Sequence, residues 1–246
     1  MLKIDWTRTF NPALTTTTDE LPSHICKNCN SSIEGNFCNY CGQKKIEFNA
    51  HHLIDNLTDG LEFKRGLFYN LKVLTFTPAT AMKDYMEGRT KPFLNPISYA
   101  LIVLTVLFLT GIKVPESDFG PLATNFQYFL HYLVFTFPIM NGLGSYLAYV
   151  SKGYNYIQHL ILSMLLISHF ILICIIPFLQ IHENLLFLSP IIFLIYTIWI
   201  YQLLFKEHIA VTITNQFTIL LMAMVFELVF VIISMGLFYL LTSIFK

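Results

Sequence analysis

The sequence predicts an all-α integral membrane protein, in which a small N-terminal cytoplasmic zinc ribbon and an amphipathic linker helix precede a five-helix transmembrane bundle. Three observations indicate this fold class. The 246 residues are 55% hydrophobic and only 12% charged, with a mean hydropathy of +0.59, whereas soluble domains carry about 25% charged residues. Five long apolar runs follow residue 95, and two CxxC pairs precede them. An ordinary soluble enzyme is therefore disfavoured.

The composition divides the chain into four segments. They are a flexible polar lead at 1–23, the zinc ribbon at 24–47, amphipathic juxtamembrane helices at 48–95, and the transmembrane bundle at 96–246. The predicted spans lie at about 96–113, 126–150, 157–180, 185–205 and 216–245. Each run approaches or exceeds the ~20 residues that a helix needs to cross the hydrocarbon core. Most turns of these runs lack a polar face, which argues against soluble amphipathic helices.

Basic residues predict the orientation of the spans. Eleven of the 15 Lys and Arg residues lie before residue 96, and the loops after the second and fourth spans carry Lys152 and Lys206. The opposite side receives only Lys113 and Lys246. Because short cytoplasmic loops are enriched in Lys and Arg, we expect a cytoplasmic N-terminus and a C-terminus on the other side of the membrane.

The most specific motif is the cysteine pattern Cys26-Lys-Asn-Cys29, followed by Cys38-Asn-Tyr-Cys41-Gly42-Gln43. Two CxxC turns present four thiolates, the ligand set of a tetrahedral structural zinc site. The alternatives are disulfides, a redox CxxC, and an iron–sulfur cluster. A reducing cytoplasm disfavours the first, and two matched pairs are atypical of the second. We expect one structural Zn²⁺, because four cysteines leave no open position for substrate.

The segment 48–95 has apolar residues largely at helical spacing, with basic residues interleaved. It predicts an amphipathic helix at the inner leaflet, broken near Gly60 or Gly66; the alternative is a helix packed on the ends of the spans. Pro78 is expected to start a second helix that Gly88 closes, and Pro96 to open the first span. The residues expected to contact the membrane surface are Lys64, Arg65, Lys72, Arg89 and Lys91.

Residues 26–110 together resemble a bacterial membrane-protein family. The motifs that carry the resemblance are Cys41-Gly42-Gln43, Arg65-Gly66-Leu67, Pro78, Tyr85, Gly88-Arg89 and Asn95-Pro96. The family is known only as a domain of unknown function and is frequent among Bacteroidota. The resemblance implies a cytoplasmic zinc ribbon on a multi-pass protein of the bacterial inner membrane, with a periplasmic C-terminus, and it implies no activity.

Polar residues within the apolar runs form a candidate intramembrane site. Its members are Glu227, His169, His131 and Asn141. A carboxylate at the centre of a span costs about 2.5–3.5 kcal/mol even on the milder insertion scales, so Glu227 needs a partner. We predict His169 for that role; the alternative is a protonated Glu227 bonded to a carbonyl. Pro138 and the glycines after Asn141 predict close helix packing, with a broken helix beside a substrate site as the alternative.

Three functions remain open. The first is a non-catalytic membrane scaffold or accessory subunit whose ribbon contacts a membrane or cytoplasmic protein, or a second copy of the chain. The second is a carrier or channel for a lipid or small solute built around Glu227. The third is a membrane enzyme acting on a lipid or peptide, which is disfavoured because the sequence holds none of the catalytic motifs we sought. Nucleic-acid binding is disfavoured, because the ribbon carries few basic residues.

Overall fold

The structure, a computed structural model, describes residues 24–33, 35–49, 63–109, 123–181 and 188–244. Only the backbone is described at 24, 63–65, 123–135, 178–180, 231, 235 and 237–244. The predicted polar lead at 1–23 lies outside the described residues, and so do the side chains of Lys64, Arg65 and His131. The described residues after 62 are mainly helical, and a small cysteine module precedes them.

The cysteine module, residues 24–49, is built from two short strands and two tight turns. Strand β1 (His24–Ile25) pairs antiparallel with β2 (Ser32–Ile33). A bridge between Phe37 and Lys44 flanks the second turn. The interior of the module consists of Cys26, Ile33 and Cys38, with Cys29 and Cys41 packed against them.

Two helices connect this module to the apolar region. Helix α1 (Phe63–Phe76) runs without interruption through Gly66, so the predicted break at that residue is wrong; Gly60 lies outside the described residues. A Cβ atom at Gly66 would lie 2.9 Å from the backbone nitrogen of Leu94, which shows that the glycine permits close approach. Helix α2 (Pro78–Met86) begins with its proline, and Gly88 follows it at φ +98°, as predicted.

Each of the five apolar runs forms a helix over most of its described residues. They correspond to α3 (Pro96–Leu109), α4 (Ala123–Ala148), α5 (Tyr156–Phe170) continued by a π-helical turn (Ile171–Ile175) and α6 (Ile176–Ile181), α7 (Ser189–Phe205), and α8 (Ile209–Ile244). Helix α8 starts seven residues before the predicted run, since nothing in residues 209–215 interrupts a helix.

The start of α5 is specified locally. The Asn155 side chain accepts a hydrogen bond from the Gln158 backbone N–H at 3.0 Å, and the Gln158 side chain accepts one from the Asn155 N–H at 2.8 Å. This reciprocal capping box satisfies two backbone donors that a helix start otherwise leaves unpaired. Helix α5 is thereby fixed immediately after the turn that follows α4.

Close packing of α4 against its neighbours organises the bundle. A Cβ atom at Gly142 would lie 2.9 Å from the Cα of Leu160 on α5, and one at Gly144 would lie 3.3 Å from the Cα of Ile219 on α8. Pro138 lies inside α4, which continues through it. The glycines therefore allow backbone approach on both sides of α4, as predicted, and α4 is not a broken helix in the structure.

Two helical stretches in the described residues are long and apolar enough to cross a membrane. They are Tyr156–Ile175 and Ile209–Ser234. Pro96–Leu109 and Ser189–Phe205 are apolar but shorter. This is a weak indication of a membrane protein, and it does not by itself determine the number of spans.

Candidate metal centre and buried polar clusters

The two CxxC turns have the same backbone geometry. In each, the residue after the motif has a left-handed conformation, with φ +61° at Asn30 and +72° at Gly42. The N–H of that residue donates to the carbonyl of the first cysteine, at 2.9 Å for Asn30 and 2.7 Å for Gly42. Asn and Gly are the residues that adopt this conformation most readily. Local sequence therefore builds two equivalent turns that each present two sulfurs.

The four sulfur atoms converge on one point. All four lie within 4.8 Å of one another, with Cys26 Sγ 3.6 Å from Cys41 Sγ and Cys29 Sγ 3.5 Å from Cys38 Sγ. Tetrahedral thiolates around a zinc ion with bonds near 2.3 Å would be about 3.8 Å apart. The cluster is therefore close enough to hold a metal ion, as the spacing predicts.

Ser31 lies beside two of these sulfurs, and the sequence analysis did not single it out. Its hydroxyl is 2.8 Å from Cys29 Sγ and 3.2 Å from Cys38 Sγ. This hydroxyl, together with nearby backbone N–H groups, lowers the pKa of the Cys38 thiol to about 5. Burial raises the pKa of the Cys26 thiol to about 11. A bound cation would favour the thiolate form at every position.

Gln43 attaches the cysteine module to the loop after α2. Its amide NH₂ lies 3.2 Å from the Gly88 carbonyl oxygen and 3.0 Å from Thr90 Oγ1, and its oxygen accepts from the Lys91 N–H at 2.9 Å. The side chain is buried. Further along the module, the Phe48 carbonyl accepts a hydrogen bond from the Asn155 side chain at 2.9 Å. The module is therefore held against α2 and the start of α5.

Of the basic residues predicted to contact the membrane, the three whose side chains are described do not form one cluster. Arg89 pairs with Asp84 at 3.1 Å and lies 3.4 Å from the Asn28 oxygen, so it serves the junction with the module. Lys91 is exposed at the same junction, and Lys72 is exposed on α1. Contact of these side chains with lipid headgroups stays a prediction.

Both ring nitrogens of His169 form hydrogen bonds with hydroxyl groups. Thr75 donates to the Leu71 carbonyl at 2.6 Å and lies 3.2 Å from His169 Nε2, while the Tyr99 hydroxyl lies 2.8 Å from Nδ1. With the Thr75 proton committed to Leu71, we assign the histidine proton to Nε2, which donates to Thr75, and Nδ1 accepts from Tyr99. A neutral imidazole then has both nitrogens paired, at the junction of α1, α3 and α5.

The predicted His169–Glu227 pair is wrong. Both nitrogens of His169 are used by Thr75 and Tyr99, and Glu227 Oε2 instead accepts a hydrogen bond from Thr136 at 2.8 Å. Glu227 Oε1 is buried without a hydrogen-bond partner among the described residues. The pairing depended on α5 and α8 being neighbours, which the sequence cannot reveal; in the structure α8 packs mainly on α4 and α7.

A second buried histidine, His159, was not anticipated. Its Nδ1 lies 2.8 Å from Ser145 Oγ, which also accepts from the Tyr201 hydroxyl at 2.8 Å. Nearby, Ser163 donates to the Asn141 oxygen at 3.0 Å. The structure thus places Asn141 in a polar contact with α5, separate from Glu227. His159 lies three residues after the first residue of α5. A histidine this close to a helix end is usually exposed, so the sequence did not indicate a buried site.

Comparison with known proteins supports part of the predicted resemblance. Residues 65–108 match a family described as "Protein of unknown function (DUF3667)". The match covers most of α1 and α3 and all of α2, but not the cysteine module. No curated protein and no solved structure matches the chain significantly. The similarity to this uncharacterised family therefore covers the two connecting helices and the first apolar helix.

Proposed function

We propose that the chain is a non-catalytic scaffold or accessory subunit of a bacterial inner membrane, with five transmembrane helices and a cytoplasmic zinc ribbon that contacts a protein partner. The observation that carries the proposal is the convergence of four cysteine sulfurs within 4.8 Å. A four-cysteine site leaves no position for a reacting ligand. So small a module buries little apolar surface, and the metal would supply much of its folding free energy.

The outer surface of the module supports a role in protein contact. Ile25, Phe37 and Tyr40 are 64%, 56% and 85% exposed. Aromatic side chains are enriched at protein interfaces, and charged side chains are depleted from interface cores. The anchoring by Gln43 and Arg89 would hold such a surface at a defined position against the helices.

The outer surface of the helices supports the membrane location. Helix α8 exposes large apolar side chains over much of its length, including Phe217, Leu221, Met224, Leu228 and Ile232 at 57–66%. Only 18% of the most apolar stretch of this helix is buried within the chain. An exposed apolar surface of this extent indicates an interaction that shields it from water. The acyl chains of a bilayer would shield every outward-facing helix in this way.

Elemental analysis of protein purified in mild detergent tests the metal. We expect one zinc per chain, and none in the Cys38→Ser/Cys41→Ser variant. Cys174→Ser, which changes the cysteine of the π-helical turn, is the control and should keep the zinc. Iron in place of zinc, or wild-type protein without metal, would contradict the assignment.

Affinity purification with mass spectrometry tests the scaffold function. A partner enriched with the wild type should be lost from the double cysteine variant. It should also be lost from Phe37→Ser/Tyr40→Ser, which leaves the four cysteines in place and should keep the zinc. Retention of the same partners by both variants would show that the module is not the contact surface.

A carrier or channel is the second candidate, favoured by polar atoms that the described residues leave buried and unpaired. They include Glu227 Oε1, Tyr196 Oη and His159 Nε2. Complementation of a deletion phenotype by the Glu227→Gln variant distinguishes the two candidates. If the protein is a scaffold, the variant should restore the wild-type phenotype. If the protein couples transport to a cation, the variant should fail to restore it.

A further inference from the structure

Helices α1 and α2 form a hairpin whose tip lies deep beside α5. The Gln158 side chain donates to the Met86 carbonyl at 2.8 Å, while Thr75 lies 3.2 Å from His169. Gln158 and His169 are eleven residues apart on one helix, or about 16 Å at 1.5 Å per residue. Helix α2 therefore runs antiparallel to α5, and the turn at Thr77 lies near the level of His169.

That level is far from the charged end of the bundle. Lys152 and Glu207 form an ion pair at 2.9 Å just outside the adjoining ends of α4, α5 and α7, and Lys206 is adjacent to it. From the start of α5 at Tyr156 to His169 the distance is thirteen residues, or about 20 Å. Residues 153–182 contain no Asp, Glu, Lys or Arg. In a hydrocarbon core ~30 Å thick, the hairpin tip would lie well below the headgroups.

The chemistry of the tip suits a lipid environment. Phe76 at the end of α1 is 77% exposed, and Phe68 two turns earlier is 70% exposed. Two exposed hydroxyls at the tip are paired with backbone carbonyls, that of Thr75 with Leu71 and that of Thr77 with Val73. Backbone bonds reach the turn from both sides, from the Thr77 N–H to Val73 at the end of α1 and from the Ala81 N–H to Thr77 at the start of α2. Polar groups in acyl chains must be paired in this way.

The inner face of the hairpin is fastened to the start of α3. The Asn70 side chain accepts from the Leu94 N–H at 3.1 Å and donates to the Leu94 carbonyl at 3.2 Å, as a paired strand would. Asn70 is fully buried, and Gly66 one turn earlier allows the close approach. Lys72, an exposed cation of α1, lies three residues before Thr75, and its long side chain can extend towards the headgroups.

We propose that α1 and α2 form a re-entrant hairpin, which enters the leaflet on the side of the cysteine module and exposes Phe68 and Phe76 to acyl chains. This inference rests on the proposed membrane location. It differs from a helix lying along the membrane surface, because Phe76 is about 12 Å further along α1 than Phe68 and lies at the level of His169.

Tryptophan fluorescence of the full-length chain tests the depth. The two native tryptophans are first replaced by phenylalanine, which gives a tryptophan-free Trp6→Phe/Trp199→Phe background. Single tryptophans are then introduced by Phe76→Trp and Phe68→Trp, both conservative changes at exposed positions. The protein is reconstituted in phosphatidylcholine–phosphatidylglycerol vesicles, with bromine on the lipid either near the headgroup or near the middle of the acyl chain.

We expect Phe76→Trp to lose more emission with mid-chain bromine, and Phe68→Trp to lose more with shallow bromine. Leu228→Trp on the exposed face of α8 should be quenched by lipid, and Tyr40→Trp on the module should be quenched by neither lipid. If Leu228→Trp is quenched and Phe76→Trp is not, water or protein covers the hairpin and the inference is wrong. If Leu228→Trp also escapes quenching, the proposed membrane location fails as well.

Discussion

At the residue scale, one amide side chain connects the candidate metal centre to the helices. Gln43 follows the last cysteine by two residues, and its left-handed neighbour Gly42 turns the chain so that the amide reaches Gly88, Thr90 and Lys91. These contacts join residues more than 40 positions apart. A metal bound by the cysteines would order the turn that presents Gln43, so we expect metal binding and docking of the module to be coupled.

Replacing Gln43 with Ala should release the module without removing its sulfur ligands. Loss of the amide leaves the Lys91 N–H and the Gly88 carbonyl without their partner, at a cost of about 0.5–1.5 kcal/mol for each hydrogen bond at this part-buried junction. Hydrogen exchange should therefore accelerate in residues 24–49, while zinc content stays at the wild-type value. Asn39→Ala, at an exposed position in the second CxxC turn, is the matched control. Equal exchange in the two variants would show that Gln43 does not anchor the module.

His169 shows how a residue's role depends on its neighbours. A histidine at the middle of an apolar run is compatible with a proton-transfer site, a metal ligand or a packed core residue. Its two hydroxyl partners come from α1 and α3, which are 94 and 70 residues away in the chain. We therefore interpret His169 as the connection that holds the hairpin tip.

At the scale of elements, the glycines of α4 set the separation between helices. Gly142 lies against the Leu160 backbone, and Gly144 lies against the Ile219 backbone. Close approach of α4 and α5 brings His159 within hydrogen-bond distance of Ser145, which also accepts from Tyr201. Pro138 lies one turn before Gly142, and its missing N–H leaves one backbone carbonyl of α4 without the usual helical partner.

Replacing Gly142 with Ala should destabilise the bundle. The new methyl group would lie 2.9 Å from the Leu160 Cα, so α4 and α5 must separate, which typically costs about 1–3 kcal/mol. Thermal unfolding in one detergent measures the change as a lower midpoint. Gly236→Ala is the control, because its Cβ would meet nothing within 4 Å in the same class of helix. It should be neutral or slightly stabilising, and a similar loss in both variants would contradict the packing role.

At the scale of the whole molecule, the cysteine module, the C-terminal end of α2 and the charged turn at Lys152 lie at one end. Phe48 reaches Asn155, Glu87 reaches Tyr154, and Lys152 pairs with Glu207. Lys and Arg at this end, and their scarcity at the other, agree with the proposed cytoplasmic orientation of the module.

Reporter fusions test the orientation and the five proposed spans together. Alkaline phosphatase fused after residues 118, 183 or 246 should be active, because these positions are predicted to be periplasmic. Fusions after residues 153 or 210 should be inactive, while a fluorescent protein that matures only in the cytoplasm should fluoresce there. Phosphatase activity at 153 or 210 would overturn the topology.

The sequence by itself determined the features that depend on neighbouring residues. The cysteine spacing built both turns, Asn155 and Gln158 started α5, Pro78 started α2, and uninterrupted apolar runs became helices. Only the tertiary structure decided which side chains meet across elements. It assigned His169 to Thr75 and Tyr99 instead of Glu227, it assigned Gly66 to close packing instead of a break, and it brought His159 to Ser145. Rotating a helix by one residue turns each side chain by about 100°. Contacts between helices therefore depend on the packing of the whole chain, which apolar runs with few polar residues do not specify.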